Sequence, residues 1–310
     1  MPNLHSILLV TDLGDDALPA LQRAVQLASE QQAGLTVLTA PAAGPVHPWR
    51  TGRDAFGAGE FALQRTRRLL RRLSREVSDP CELRLMAGGG EADALMRIGE
   101  AAGRADLLVL AAGRANPLRA WLLGSPAERV LRIAARPVLV VKQAPPLPGA
   151  PYRRALVPVD LDDGALPALR LAARVAPDAA LHLLHAMNES LPSPLRLAGT
   201  PADVLQAARN RHRAACLHRL WGLAASLPRQ RVFATVGDGR AGWLTLQKAQ
   251  QVAADLVVVG RQGRSRLGEF LLGSTARTLL AEVPADVLVL PRAPRARAGM
   301  PIATATVRPM

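Results

Sequence analysis

The strongest constraint on this chain is that it spells one pattern twice. ILLVTD (Ile7 to Asp12) returns as ALVPVD (Ala155 to Asp160), and Leu18-Pro19-Ala20-Leu21 returns as Leu166-Pro167-Ala168-Leu169. ADLLVL (Ala105 to Leu110) returns as ADLVVV (Ala254 to Val259). Leu122-Leu123-Gly124-Ser125 returns as Leu271-Leu272-Gly273-Ser274, and PVLVV (Pro137 to Val141) as DVLVL (Asp286 to Leu290). The offset stays at 148 or 149 residues throughout. A spacing of that size marks a duplicated domain, whereas solenoid repeats run to roughly 20–50 residues.

Within each copy, short apolar runs alternate with amphipathic ones. The apolar runs are rich in valine and leucine and read as strands buried on both faces. The first copy has them near 6–11, 34–39, 82–86, 106–110 and 137–142, and the second near 154–159, 180–186, 231–236, 255–260 and 286–290. Helical spacing fits 16–31, 60–77, 91–103 and 125–134, then 164–175, 201–226, 242–253 and 274–282. The helix near 201 has Thr200 to cap it, Pro201 for its first turn and Asp203 to meet its dipole. Five strands linked by helices predict an α/β fold with a doubly wound parallel sheet in each copy. Gly- and Pro-rich connections follow the second strands at 41–59 and 187–200. The linker QAPPLPGAP at 143–151 divides the chain into domains at 1–143 and 152–292, and 293–310 is expected to be a disordered tail.

Composition narrows the function. The apolar fraction of 49% is enough for real cores, and no run approaches the roughly 18 apolar residues of a membrane helix. The start, MPNLHSILLVTD, lacks a basic signal-peptide region, and Cys81 and Cys216 fall in different copies without metal-ligand neighbours. Both features point to a reducing cytoplasm and away from a disulfide or zinc framework. The net charge of +14 invites a nucleic-acid reading, but only Lys142 and Lys248 are lysines, so the excess is arginine throughout, as a coding bias would leave it. The densest cluster, Arg65 to Arg75, alternates with Leu63, Leu70, Leu73 and Val77 at helical spacing and reads as a solvated face. Few aromatic residues remain for base stacking, so no nucleic-acid partner is expected.

The chemistry concentrates in DLVVVGRQGRSRLGEFLLGST, Asp255 to Thr275. A buried strand ends at Val259, Gly260 and Gly263 allow close backbone approach, and Gly273, Ser274 and Thr275 open a helix. Free N–H groups and the helix dipole there favour an anion. In an open α/β sheet, ligands bind at the carboxyl ends of strands where the winding reverses. With strand order 3-2-1-4-5 that point lies between the first and fourth strands, so Val159-Asp160 faces Val259-Gly260. Asp160 then accepts hydrogen bonds from a ribose or base, or, in the competing reading, caps the helix that follows.

Gly260-x2-Gly263-x9-Gly273-Ser274 together with VPVD at 157–160 resembles the universal stress protein family, and the duplication resembles its tandem-domain members. The resemblance spans nearly the whole chain. It implies two Rossmann-like domains of the adenine nucleotide alpha hydrolase type, each a five-stranded parallel sheet. It also implies ATP in the second copy, with ADP or AMP as variants and Mg as an optional companion. By position, Pro158 and Val159 would line the nucleotide site, Asp160 would hold the ribose, Ala186 would meet the adenine through its backbone, and Val259 and Gly260 would lie against the nucleoside. Gly263, Gly273, Ser274 and Thr275 would take the phosphates, with Arg261 and Arg264 as added charge or as ordinary exposed arginines. The family's habit of pairing last strands implies that 137–142 and 286–290 join the halves as an intramolecular pseudo-dimer, with a homodimer as a further option.

The first copy departs from this pattern. Ala111 and Arg114 stand where Gly260 and Gly263 do, and Pro126 replaces Thr275, although Asp12 remains. That copy is expected to be a structural or regulatory partner with weak or no ATP binding, and Gly88-Gly89-Gly90 a turn. Gly237-x-Gly239-x-x-Gly242 mimics a dinucleotide fingerprint, but it follows a third strand where the fingerprint belongs to the first βα turn. Gly268 to Thr275 has P-loop spacing, yet Ser274 stands where lysine is required. No nucleophile elbow or metal-binding spacing appears, His182 and His185 (the latter near the proposed adenine edge) read as packed or hydrogen-bonded strand residues, and no catalytic residue is assigned. The expected role is nucleotide-dependent stress response or signalling, with at most slow ATP hydrolysis. The alternative is a non-binding scaffold of the same fold that acts through protein partners.

Overall fold

The computed structural model describes residues 4–11, 17–39, 64, 81–85, 91–112, 130–131, 134–147, 149–161, 165–187, 201–227, 230–260 and 272–291. The first half contributes β1 (Ser6–Thr11), α1 (Leu18–Gln31), β2 (Gly34–Thr39), β3 (Cys81–Leu85), α2 (Glu91–Gly103), β4 (Leu107–Ala111) and β5 (Val138–Val141). The second contributes β6 (Arg154–Pro158), α3 (Ala165–Val175), β7 (Ala180–Met187), α4 (Ala202–Ala224), β8 (Val232–Asp238), α5 (Ala241–Gln251), β9 (Leu256–Gly260), α6 (Ser274–Glu282) and β10 (Asp286–Leu290). These bounds agree with the periodicity to within about two residues. The expected helix at 60–77 with its arginine cluster, most of 125–134, Asp12, Gly88 to Gly90, Arg114, Pro126, Gly263, Arg264 and 293–310 lie outside the described residues.

The ten strands among the described residues form one sheet, in the order β3-β2-β1-β4-β5-β10-β9-β6-β7-β8. Each half therefore runs 3-2-1-4-5, parallel throughout, and the two meet edge to edge. The seam is antiparallel, with Val140 opposite Val287, Leu139 opposite Leu288 and Val138 opposite Val289. Alternate strand residues feed opposite faces, which is why the strands are apolar throughout rather than alternating. Ile7 and Leu9 belong to the core on the face that α1, α3 and α4 cover, whereas Leu8 and Val10 belong to the core on the other face, with Ile98 of α2, Ala249 of α5 and Leu279 of α6. Both cores continue through the seam.

The aspartate of each ADL repeat is structural. Asp106 Oδ2 accepts the N–H groups of His5 and Ser6 at 2.8 and 3.3 Å. Asp255 accepts those of Arg153 and Arg154 at 2.7 and 3.0 Å. Each ties the start of its half's first strand to the start of the fourth. At α4 the local expectation needs correction. The helix begins at Ala202, Pro201 is the residue before it, with ψ 145°, and no side chain caps it. Pro201 thus ends the extended approach rather than occupying the first turn, while Asp203 does lie in that turn.

Around Asp286, at the head of β10, the seam carries a buried polar knot. Its carboxylate accepts the Lys142 N–H at 2.8 Å and the hydroxyl of Tyr152, the chain's single tyrosine, at 2.7 Å. Arg23 of α1 brings Nε to 3.4 Å from the same carboxylate and its guanidinium to 3.9 Å over the Tyr152 ring. Its Nη1 donates to Ala150 O at 2.9 Å and to Gln26 at 2.7 Å. Lys142 Nζ reaches the carbonyls of Leu279 and Val283, at 3.1 and 2.7 Å, and so caps the carboxyl end of α6 from the other half. Burial raises the Asp286 pKa, partly opposed by the Tyr152 and Lys142 hydrogen bonds and by Arg23.

Removing the carboxylate leaves the buried Arg23 guanidinium without its counter-charge. Asp286→Ala is expected to lower stability by roughly 3–5 kcal/mol in urea unfolding. Burial also takes the Lys142 ammonium from its ordinary 10.5 down to about 8. Between those values the unfolded chain holds this proton and the folded chain does not, so the contribution of this group to stability rises with pH. Lys142→Met should remove that alkaline rise, seen as a difference in urea midpoint between the two proteins from pH 7 to pH 10.5.

Candidate functional site

The winding reverses between β6 and β9, and the ladder between them is short. Only Ala155 with Leu256 and Leu156 with Val257 are paired. In the first half the equivalent ladder has four pairs, from Ile7 with Leu107 to Val10 with Leu110. One residue accounts for the difference. The Val159 N–H donates to Leu184 O of β7 at 2.8 Å, so peptide groups at alternate positions, 154, 156 and 158, face β9. The next rung needs the amide of residue 158, which is proline and has no N–H. Val10 stands at that position in the first half and continues the ladder.

Beyond this break the chain leaves the sheet. Val159 is buried, Asp160 is half-buried, and Leu161 turns into the left-handed region at φ 57°. His185, also buried, donates from Nδ1 to the Val159 carbonyl at 2.7 Å. That leaves Ala186, two residues past the last β7 residue in register with β6, with its peptide facing the side where β6 has ended. Across the break, Val259 is buried and Gly260 is exposed at the end of β9. Pro158, Val159, Asp160, Ala186, Val259 and Gly260 thus gather at one end of three adjacent strands. Gly263 and Arg264 lie outside the described residues.

Gly273 precedes α6 with φ −59° and ψ 154°, and no side chain caps the helix. Its first internal bond runs from Arg277 N–H to Gly273 O at 3.0 Å, so the amides of the first turn have no partner within the helix. Ser274 is exposed and Thr275 half-buried. Both border a cavity of about 550 Å³ whose other wall is Arg240, Gly242 and Trp243. A Cβ built on Gly242 would stand 3.8 Å from Thr275 Cα, an ordinary van der Waals contact, so this glycine of the fingerprint-like motif lies against the start of α6. The geometry gives that motif a packing role beside α6, and its place after the third strand of its half stands.

His182 stacks on Phe233 with ring centroids 4.9 Å apart, and desolvation, Lys248 and Arg154 lower its pKa. His212 and His218 are exposed on α4. Periodicity brought His185 near the site but could not show which carbonyl it holds, nor that Arg219 reaches the site at all. Arg219 of α4 donates to the carbonyl of Leu161, and His185 holds that of Val159. Their signal would have been reach across the fold, which a linear pattern does not carry. Among the described residues, no group of three or more His, Cys, Asp or Glu could hold a metal ion, and no helix is long and apolar enough to cross a membrane.

A tandem pair of 3-2-1-4-5 sheets with a glycine-bearing switch point defines a class of α/β protein, and sequence comparison names it. The model of the universal stress protein family matches residues 3–142 and again 151–291. The chain belongs to the universal stress protein family, as a two-domain member. No curated protein matches the sequence. Among solved structures, a functionally unknown protein from Pseudomonas aeruginosa PAO1 is similar at 22% identity, covering 93% of this chain and 92% of that one with a TM-score of 0.63. A putative universal stress protein from Pseudomonas aeruginosa UCBPP-PA14 shares 23% identity over 93% of each chain, TM-score 0.62. One from Archaeoglobus fulgidus DSM 4304 shares 19% over 93% of this chain and 96% of that one, TM-score 0.61. These likenesses concern the fold.

Replacing Pro158 with valine, the residue of the first half, supplies the missing donor. Pro158→Val is expected to extend the β6–β9 ladder and to give a slowly exchanging amide at 158 in hydrogen exchange.

Proposed function

We propose that this protein binds ATP or a related adenine nucleotide at the carboxyl ends of β6, β7 and β9, and acts in stress response or signalling rather than in turnover of a metabolite. The observation that carries this reading is the ladder that Pro158 stops in the second half and Val10 continues in the first. The residues present suit the ligand. Gly260 has no Cβ to fill the space beside β9, the Ala186 peptide lies one rung past the end of β6, and the first-turn amides of α6 are uncapped. Asp160 would accept hydrogen bonds from the ribose. Val159 and Val259 would supply apolar contact, and Gly263, Gly273, Ser274 and Thr275 would take the phosphates, with Arg264 adding charge.

The polyphosphate, with or without Mg, would bring the negative charge that these groups recognise. The work of the chain is binding and orientation, and no residue is assigned as a base. In this reading the domains are 1–143 and 152–292, the first serving as a structural partner, and the protein is cytoplasmic.

The test is mass spectrometry of small molecules released from the purified full-length protein, with melting curves in ATP. Ligand at a hundred times its dissociation constant should stabilise the fold by about 2.7 kcal/mol. Gly263→Arg, which copies the first half, and Asp160→Ala should both lose the retained nucleotide and the shift. An unchanged melting temperature at millimolar ATP would favour the scaffold.

A further inference from the structure

Three described residues other than glycine have positive φ: Gln32, Leu161 and Ala253. Gln32 and Ala253 follow the ends of α1 and α5, where a left-handed residue is an ordinary way to stop a helix. Leu161 follows a strand, and its branched side chain makes the conformation sterically unfavourable. It is also buried, 7% exposed, in the core shared with α3 and α4. Something must hold this turn. The carbonyl before Asp160 is taken by His185 Nδ1 at 2.7 Å from β7, and the carbonyl after it by the Arg219 guanidinium from α4. The peptide that enters Asp160 is therefore held from β7, and the carbonyl of Leu161, one residue beyond Asp160, is held from α4.

We propose that His185 and Arg219 are positioning residues that set Asp160 for the ribose and so make the site selective for ribonucleotides. This rests on the nucleotide reading above. Neither side chain needs to touch the ligand. Each fixes the carbonyl of a residue beside Asp160, Val159 before it and Leu161 after it, and the pair holds the backbone from which its carboxylate projects. A carboxylate held in place favours a ligand with ribose hydroxyls over one without them, because an unmatched hydrogen-bonding group is left behind in the second case.

The experiment is calorimetric titration of the full-length protein with ATP and with 2′,3′-dideoxy-ATP. The wild type should prefer ATP by about tenfold or more, the strength of one hydrogen bond to a charged group. Arg219→Met replaces an exposed side chain and leaves the core intact. It should weaken ATP and leave dideoxy-ATP within about twofold, so that the preference falls below about threefold. His185→Leu should do the same. Arg219→Lys and His185→Asn, which keep a donor, should retain most of the preference. Variants that discriminate as the wild type does, or that weaken both ligands equally, overturn the proposal. So does a wild type that binds the two equally. A wild type that binds neither overturns the nucleotide reading itself, and this inference with it.

Discussion

A single buried carboxylate sits where the two halves meet. Asp286 accepts hydrogen bonds from the backbone of Lys142 and the hydroxyl of Tyr152, on either side of the linker, and faces the guanidinium of Arg23. A carboxylate with 3% exposure costs free energy unless every partner is in place. The same requirement makes the contact demanding about geometry. The linker must return Tyr152 to where it left Lys142, α1 must present Arg23, and β10 must begin at the seam. The seam also unites β5 and β10, so two strand edges are covered within one chain.

The halves differ at this carboxylate and at the switch point by the same device. Asp286 corresponds to Pro137 in the first copy, and Pro158 corresponds to Val10. A proline cannot donate to a ladder, and one residue in each copy has been exchanged with that consequence. At the seam the second copy gains an acceptor that gathers the linker. At the switch point it loses a rung, and the chain leaves the sheet early, at Val159. The repeat thus contains its own comparison. The first half shows a closed ladder where the second shows an interrupted one.

α6 joins these two places. Its first turn holds Ser274 and Thr275, and its last carbonyls are held by the Lys142 ammonium of the first half. The first half thus holds the carboxyl end of the nine-residue helix whose first turn carries Ser274 and Thr275. That is a physical reason for the two copies to remain in one chain.

Much of this was legible in the residues. The repeat, the apolar runs and their alternation with helices determined two α/β halves, and the glycines at 260 and 273 with Asp160 marked one end of the sheet, because strand and helix periods and glycine's missing Cβ are local properties. The ADL repeats served in one dimension only as markers of the duplication, and only the fold shows their aspartates tying β1 to β4 and β6 to β9. The same holds for Arg219 and His185, which lie 58 and 26 residues from the carbonyls they hold. The joining of the halves through β5 and β10 was implied by the family resemblance, whereas the antiparallel register of that seam, the burial of Asp286 and the consequence of Pro158 were decided by tertiary structure. Each depends on which strand lies beside which, and neighbours in a parallel sheet are set by the path of the chain rather than by its local pattern.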